Sequence, residues 1–228
     1  KVEMYNLKDA QSFFDIGYLY SNLATFESTL MNYDRALEHM RKAELNYQKL
    51  KPLMPAAEFR GLQPRFYQTF GVIAYHAKKY EDAIAYFNTA LKSVSKSTSA
   101  GAMSLRRMKG EAYSGLKKYD VSQQIFRDCL RDIEEENITS VSFHRYLRSL
   151  LAAIYNSGDY ELVIATAQQY PIYNLNEIHE AIEVLTHDVA SSVLDNFFIM
   201  AFAHVKLGDI HKDPSYYEKA YNWEKQGL

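Results

Sequence analysis

Small and large residues follow one another in the same order along three segments of the chain. Small residues allow two antiparallel helices to cross closely, and larger residues three or four positions away fill the space between neighbouring helical pairs. Repetition of such a series predicts stacked helical pairs. The clearest copy reads Phe70-Gly71, Tyr75, Tyr80, Ala83, Phe87 and Ala90, and the other two read Leu23-Ala24, Tyr33, Ala36, Met40 and Ala43, and Lys109-Gly110, Tyr113, Tyr119, Ser122, Phe126 and Cys129.

This series resembles the tetratricopeptide repeat (TPR), and the three copies align with that family's pattern without an insertion. Two weaker copies align through Gly158-Asp159-Tyr160 and through Ala201 with Gly208-Asp209, the latter with an insertion at 211–213 before a helix that opens at Pro214 behind Asp213. The resemblance implies an all-α fold, a right-handed superhelix of about five TPR-like helical hairpins. We expect a single repeat domain over 1–228, with units at approximately 10–50, 64–96, 103–136, 141–170 and 190–226.

The repeats are longer than the usual period of about 34 residues. We expect the extra residues in longer second helices or in loops such as 49–64 and 93–101. The first of these segments holds three prolines and a glycine, which predicts that it is not helical. Long repeats resemble the extended-helix variants found in bacterial regulatory and signalling proteins.

Composition narrows the function classes. A net charge of −2, with 24% charged residues, gives no general attraction to nucleic acid or to an anionic membrane. No apolar run approaches the roughly 20 residues of a membrane span. A cytoplasmic protein is the default expectation, and a periplasmic fragment would have the same sequence features. Cys129 is the single cysteine and stands at a small-residue position of the repeat, which predicts a core residue. The chain opens on Lys1, so we expect a fragment of a larger protein.

Motifs for catalysis are missing from the sequence. His179 and His187 are eight positions apart with Glu180 and Glu183 between them, a separation of about 12 Å along a helix, which is too long for one metal ion. There is no G-x-x-x-x-G-K-[ST], G-x-S-x-G or C-x-x-C segment. We therefore expect no catalytic activity in this chain, and no cofactor or metal.

The resemblance to the TPR family implies a ligand groove lined by the first helix of each repeat. In the central three units four of the implied positions are arginines against one acid, and guanidinium groups suit carboxylates and phosphates. This favours an extended peptide with acidic side chains or a free carboxyl terminus. Alternatively, these arginines pair with acids on neighbouring helices or extend into solvent. The groove residues are Arg65, Gln68, Tyr75, His76, Arg107, Glu111, Arg145, Arg148, Tyr155 and Asn156. On the same face the first repeat contributes Tyr18, Ser21, Thr25, Ser28 and Thr29, and the second adds Val72.

Three functions remain open at this point. The first is the sensory or regulatory region of a larger signalling or transcription-regulating protein. The second is the control region of an enzyme whose catalytic part lies elsewhere. The third is an assembly scaffold that uses its convex face or a C-terminal docking helix, as a homodimer or against another domain. The residues of that helix are Tyr217, Tyr221 and Trp223. The carboxylate clamp of chaperone-tail adaptors is not expected, because Ser21, Thr25 and Thr69 occupy clamp positions.

Overall fold

The computed structural model describes residues 2–138, 143–170 and 187–227, and this part of the chain is helical with short turns and no strand. The predicted all-α fold class is confirmed. The chain divides into two compact units, Lys1–Leu116 and Lys117–Leu228. The first unit holds α1 (Val2–Thr29), α2 (Tyr33–Leu50), a 3₁₀ turn (Lys51–Leu53), α3 (Ala56–His76), α4 (Tyr80–Lys92) and α5 (Ala100–Gly115). The second holds α6 (Tyr119–Glu135), α7 (Phe143–Ser157), α8 (Tyr160–Gln169), α9 (His187–His211) and α10 (Ser215–Gly227). None of the described helices combines the length and the hydropathy that a membrane span requires.

In the first unit α1 packs along α2 and α3 along α4, while α5 packs on α4. Aromatic rings fill the space between the first two pairs. Tyr47 of α2 stacks on Phe66 of α3 with 3.6 Å between ring centroids, and Phe66 lies 4.3 Å from Phe70. All three rings are buried, so this cluster joins the two pairs into one hydrophobic core.

Gly71 leaves room on α3 for a side chain of the facing helix α4. A methyl group at this position would lie 2.5 Å from Cδ1 and 2.9 Å from Cζ of Phe87 on α4. Phe87 is fully buried and its ring occupies the space that a side chain at position 71 would need. The small residue of the repeat is therefore required by contact with the large residue of the facing helix.

Five short turns between consecutive helices each contain one residue with a positive φ. Left-handed backbone is strained for residues with a Cβ, and glycine adopts it freely. The second pair shows the hydrogen bonding, because the Lys79 N–H donates to the Ala74 carbonyl at 2.8 Å around Lys78. This closes α3 and reverses the chain within a few residues. The positive-φ residues of the five turns are Met31, Lys78, Lys117, Gly158 and Lys212.

The expectation that 49–64 is a non-helical segment is wrong. Pro52 and Pro55 do stand at the 3₁₀ turn and at the N-cap of α3, but Gly61 and Pro64 lie inside α3. The helix continues because its first turns bury Phe59 against Tyr47, at 5.2 Å between ring centroids. Apolar burial there outweighs the backbone hydrogen bond lost at the proline. The extra length of this repeat therefore lies in a longer first helix.

In the second unit α7 packs against α6, α8 and α9, and α9 packs along α10. Its core includes Phe126 and Phe197, which are 1% exposed, and Cys129, which is fully buried. Asp213 lies before α10 and its carboxylate accepts the Ser215 N–H at 2.9 Å. This bond satisfies one of the free amide donors at the start of the helix.

Candidate functional site

A groove runs between α1 and α3, the first helices of the two leading pairs. It consists of two adjoining clefts of about 480 and 390 Å³. Thr25 and Thr69 line both clefts, which makes the groove continuous. Since α1 and α3 both lie within the first unit, this groove is complete without the second.

Hydroxyl and amide side chains dominate the polar part of the groove lining, and no Asp, Glu or Lys contributes to it among the described residues. Thr25 Oγ1 donates to the Ser21 carbonyl at 3.0 Å and Thr69 Oγ1 to the Arg65 carbonyl at 3.1 Å, so both hydroxyl oxygens keep accepting capacity. One cleft is lined by Thr25, Ser28, Thr29, Met31, Tyr33, Gln68, Thr69, Val72, Ile73 and His76. The other is lined by Phe14, Tyr18, Ser21, Asn22, Thr25, Tyr47, Gly61, Leu62, Arg65, Phe66 and Thr69.

Arg65 is the cationic group of this groove. Its side chain is exposed, and the described part of the chain places no carboxylate within ion-pair distance of it. Tyr47 lines the same cleft, and burial together with Tyr67 raises the pKa of its phenol, which stays neutral. The cleft around Arg65 thus combines one uncompensated positive charge with aromatic walls.

The structure brings several of the predicted residues together in this groove. Arg65, Gln68 and His76 line it, and so do Val72 and the first-repeat residues Tyr18, Ser21, Thr25, Ser28 and Thr29. Tyr75 does not line either cleft. Its ring packs edge-on against Tyr80 at 5.7 Å and against His76 at 5.6 Å.

Arg107 and Glu111 lie one turn apart on α5 and form an ion pair with each other. Both side chains are partly buried. This is the alternative that the sequence left open, in which an arginine pairs with an acid of the protein. The charge of Arg107 is therefore already compensated before any ligand binds.

The remaining predicted groove residues lie in the second unit. Arg148 of α7 pairs with Asp195 of α9 at 3.0 Å between Nη1 and Oδ2. Tyr155 packs against Tyr160 at 5.2 Å between ring centroids, Asn156 is exposed, and Arg145 is partly buried on α7. The pairing of Arg148 again matches the alternative in which an arginine pairs with an acid of the protein. Arg65, which has no such pair among the described residues, is therefore the stronger candidate for binding a carboxylate of a ligand.

The C-terminal helix α10 leaves fewer of its predicted docking residues free for a partner than the sequence suggests. Trp223 packs on Phe197 of α9 at 5.8 Å between ring centroids. The Tyr217 hydroxyl donates to Asp209 Oδ1 at 2.8 Å. Tyr221 is 62% exposed. Two of the three proposed docking residues therefore hold α10 onto α9.

Sequence reasoning missed several lining residues. Phe14 and Asn22 stand one helical turn before and after Tyr18, so they share its face of α1. Extending each predicted position by four residues in both directions would have found them. Met31 enters the lining from the turn between α1 and α2, for which the repeat pattern carries no signal, and Tyr33 enters it from the first position of α2.

No group of three or more His, Cys, Asp and Glu side chains in the described ranges is arranged to hold a metal ion. The segment 179–187 lies outside the residues whose side chains the structure describes. Burial lowers the pKa of His144 on α7 and of His204 on α9, which favours the neutral imidazole in both.

Comparisons with known proteins agree with this architecture. Residues 64–93 match the family model described as tetratricopeptide repeat. No curated protein matches the sequence. Among solved structures, the TPR-like repeats of a kinesin light chain candidate from Podosopora anserina align with a TM-score of 0.61 at 10% identity, covering 91% of this chain and 94% of that chain. BtubC (BKLC) from P. vanneervenii aligns with a TM-score of 0.56 at 13% identity, covering 98% and 89%.

The chain therefore carries a tetratricopeptide repeat at 64–93 and has the fold of TPR-like helical-repeat proteins. The predicted resemblance is confirmed. Repeats of this family generally mediate protein–protein interaction, and the fold is typically non-catalytic.

Proposed function

We propose that the first unit binds an extended peptide in the groove between α1 and α3, with an acidic group of the peptide at Arg65. The observation that carries this proposal is the lining itself: an exposed arginine that has no carboxylate partner among the described residues, beside hydroxyl and amide groups and aromatic walls. Such a lining suits a carboxylate, because Arg65 provides charge and a planar fork of donors. The surrounding hydroxyl and amide side chains orient the peptide by hydrogen bonds.

The groove sets the length of the ligand. Arg65 and His76 lie near opposite ends of it on α3, which corresponds to about 16 Å at the helical rise per residue. An extended peptide rises about 3.3 Å per residue, so roughly five residues span this distance. The apolar walls provided by Phe14, Leu62 and Phe66 favour a large apolar residue next to the acidic one.

Peptide selection followed by affinity measurement tests the proposal. A displayed library of random heptapeptides is selected on the immobilised chain, and the enriched peptides are synthesised with a fluorescent label. We expect enrichment of Asp, Glu or a free carboxyl terminus. Amidated and free-acid versions of one peptide decide between the terminal and the side-chain carboxylate.

Two charge reversals on the same helix provide the decisive comparison. Arg65→Glu should weaken binding at least tenfold, because it replaces a charge-assisted contact by repulsion. Arg60→Glu makes the same change at an exposed position of α3 outside the groove and should leave the affinity within about twofold. Equal affinities of the two variants for every selected peptide would refute the assignment of the groove.

A regulatory or sensory role belongs to this proposal as its consequence. Peptide binding would serve regulation if it changed the activity of a protein linked to this chain. A constitutive scaffold would instead hold its partner without any change in the partner's activity. Adding the selected peptide to the assembled complex distinguishes the two roles, because only a regulatory domain changes the activity of the linked protein.

A further inference from the structure

The groove between α1 and α3 contains a second cleft beside the one that holds Arg65, here called the Met31 cleft. It has a volume of about 480 Å³, and its apolar lining consists of Met31, Val72, Ile73 and the methyl groups of three threonines. Among the described residues, no Asp, Glu, Lys or Arg contributes to this lining. An apolar side chain fits the Met31 cleft better than a charged one, because the lining offers apolar contacts and little compensation for a buried charge.

Met31 differs from its counterparts in the other turns. It stands between α1 and α2 with φ +60°, and its side chain is 76% exposed. The corresponding turns carry lysine or glycine at the exposed positive-φ position, and these residues are Lys78, Lys117, Gly158 and Lys212. Because the position is exposed in all five turns, the exposure of Met31 is a property of the turn. Methionine therefore offers an adaptable apolar contact where the other turns offer a charge or no side chain.

Glu27 holds this turn in place. Its carboxylate is buried, accepts a hydrogen bond from Asn32 Nδ2 at 2.9 Å and pairs with Arg35 Nη2 at 3.0 Å. In the main chain, the Asn32 N–H donates to the Glu27 carbonyl at 2.9 Å, and the Met31 N–H donates to the Ser28 carbonyl at 3.0 Å. These contacts fix the backbone on which Met31 stands, so the wall of the Met31 cleft is formed before a ligand binds.

The distance between Arg65 and the Met31 cleft corresponds to three residues of extended peptide. Val72, in the wall of the Met31 cleft, lies seven positions after Arg65 on α3, which is about 10 Å at the helical rise per residue. An extended backbone rises about 3.3 Å per residue. Thr25 and Thr69 line both clefts, so one peptide can pass from one cleft into the other.

We propose that the Met31 cleft binds a large apolar side chain of the same peptide, three positions away from the residue whose carboxylate contacts Arg65. This inference rests on the proposed function and adds a second anchor at a defined spacing. The ligand motif is an acidic residue and a leucine, methionine or phenylalanine with two residues between them. Either direction of the peptide chain satisfies the distance, so the test includes both orders.

Labelled heptapeptides measure the spacing on the whole chain. Each peptide has phenylalanine next to glutamate, one leucine, and serine at all other positions. The leucine lies one, two, three or four positions from the glutamate on the side away from the phenylalanine, in both chain directions. Reference peptides have serine in place of the leucine. We expect fluorescence anisotropy to show the tightest binding at a spacing of three, at least tenfold tighter than the reference, because a leucine side chain leaves water.

Two neighbouring substitutions in the chain locate the leucine. Met31→Lys introduces the residue type that stands at Lys78 in the next pair, so the turn keeps its backbone conformation. It should remove the tenfold advantage of the leucine peptide over its reference. Leu30→Lys makes the same change at a residue that is 54% exposed and lines neither cleft, and it should preserve the advantage. Far-ultraviolet circular dichroism verifies that both variants are folded.

Arg65→Glu separates failure of the second anchor from failure of the proposed function. If this variant weakens binding but the position of the leucine has no effect, the second anchor alone is overturned. The same holds if the leucine advantage survives Met31→Lys, or if only peptides selected from the random library bind. If Arg65→Glu leaves the affinity of every peptide unchanged, or no peptide of either kind binds, the proposed carboxylate contact is wrong and the spacing is overturned with it.

Discussion

Adding a single methyl group at Gly71 tests the packing that defines the repeat. Alanine is favoured over glycine in a helix interior by about 0.5–1 kcal/mol, so Gly71→Ala would be stabilising if only the backbone mattered. In this structure the added Cβ would lie 2.5 Å from Cδ1 and 2.9 Å from Cζ of Phe87. Because Phe87 is fully buried on α4, either the ring or the two helices must move.

Gly61 provides the matched control on the same helix. It is exposed, and a methyl group there meets no atom within 4 Å. The gain in helix propensity is common to both substitutions, so the difference between the two variants equals the cost of overpacking, about 1–3 kcal/mol. We expect Gly61→Ala to be more stable than the parent and Gly71→Ala to be less stable than Gly61→Ala by that amount.

Urea unfolding followed by circular dichroism measures both variants on the same scale. A third variant sharpens the test, because Phe87→Leu should cost less free energy in the Gly71→Ala background than in the parent. The packing argument is refuted if Gly71→Ala is as stable as Gly61→Ala, or if the two substitutions at 71 and 87 are additive.

Two further predictions concern the turns and the buried histidines. Gly158 has φ +89° and open space around it, so Gly158→Ala should lower the free energy of unfolding by about 1–2 kcal/mol through backbone strain alone. Lys78 has φ +58°, so Lys78→Gly should be neutral or stabilising in the same urea assay. Burial lowers the pKa of His144 and His204 from 6.5 in the folded state, so the unfolded state takes up protons first as the pH falls. The stability that these two neutral histidines contribute is complete above pH 6.5 and is lost as the pH falls below it. Replacing both by glutamine should therefore reduce the fall of the urea midpoint with decreasing pH below 6.5. An unchanged pH dependence of the urea midpoint would contradict the burial of the two histidines as its cause.

Much of the fold follows from the order of small and large residues. The alignment of Ala24 with Gly71 sets the phase of α1, and the resemblance to the TPR family then implies that Tyr18, Ser21 and Thr25 lie on the face that lines the groove. The ion pair between Arg107 and Glu111 was also within reach, since the two residues are one helical turn apart. The pair between Arg148 and Asp195 joins residues far apart in sequence and depends on how α7 meets α9.

Other features could not be predicted from local pattern. Pro64 and Gly61 oppose helix formation, and only the burial of Phe59 against Tyr47 explains why α3 includes them. The spacing of the exposed residues Leu19, Leu23 and Phe26 is visible in the sequence, yet Phe66, Phe70 and Ile73 have the same spacing and are buried. Burial of Phe66, Phe70 and Ile73 therefore depends on the packing of α2 against α3.

Amide chemical shifts locate a ligand in the groove between α1 and α3 most directly. A peptide selected on the chain is titrated into the isotope-labelled protein while two-dimensional nuclear magnetic resonance spectra are recorded. If the peptide binds in this groove, the largest shifts fall on Thr25, Ser28, Thr69 and Val72, and Arg65→Glu suppresses them. Shifts that leave these four amides unchanged and cluster on other helices would contradict it.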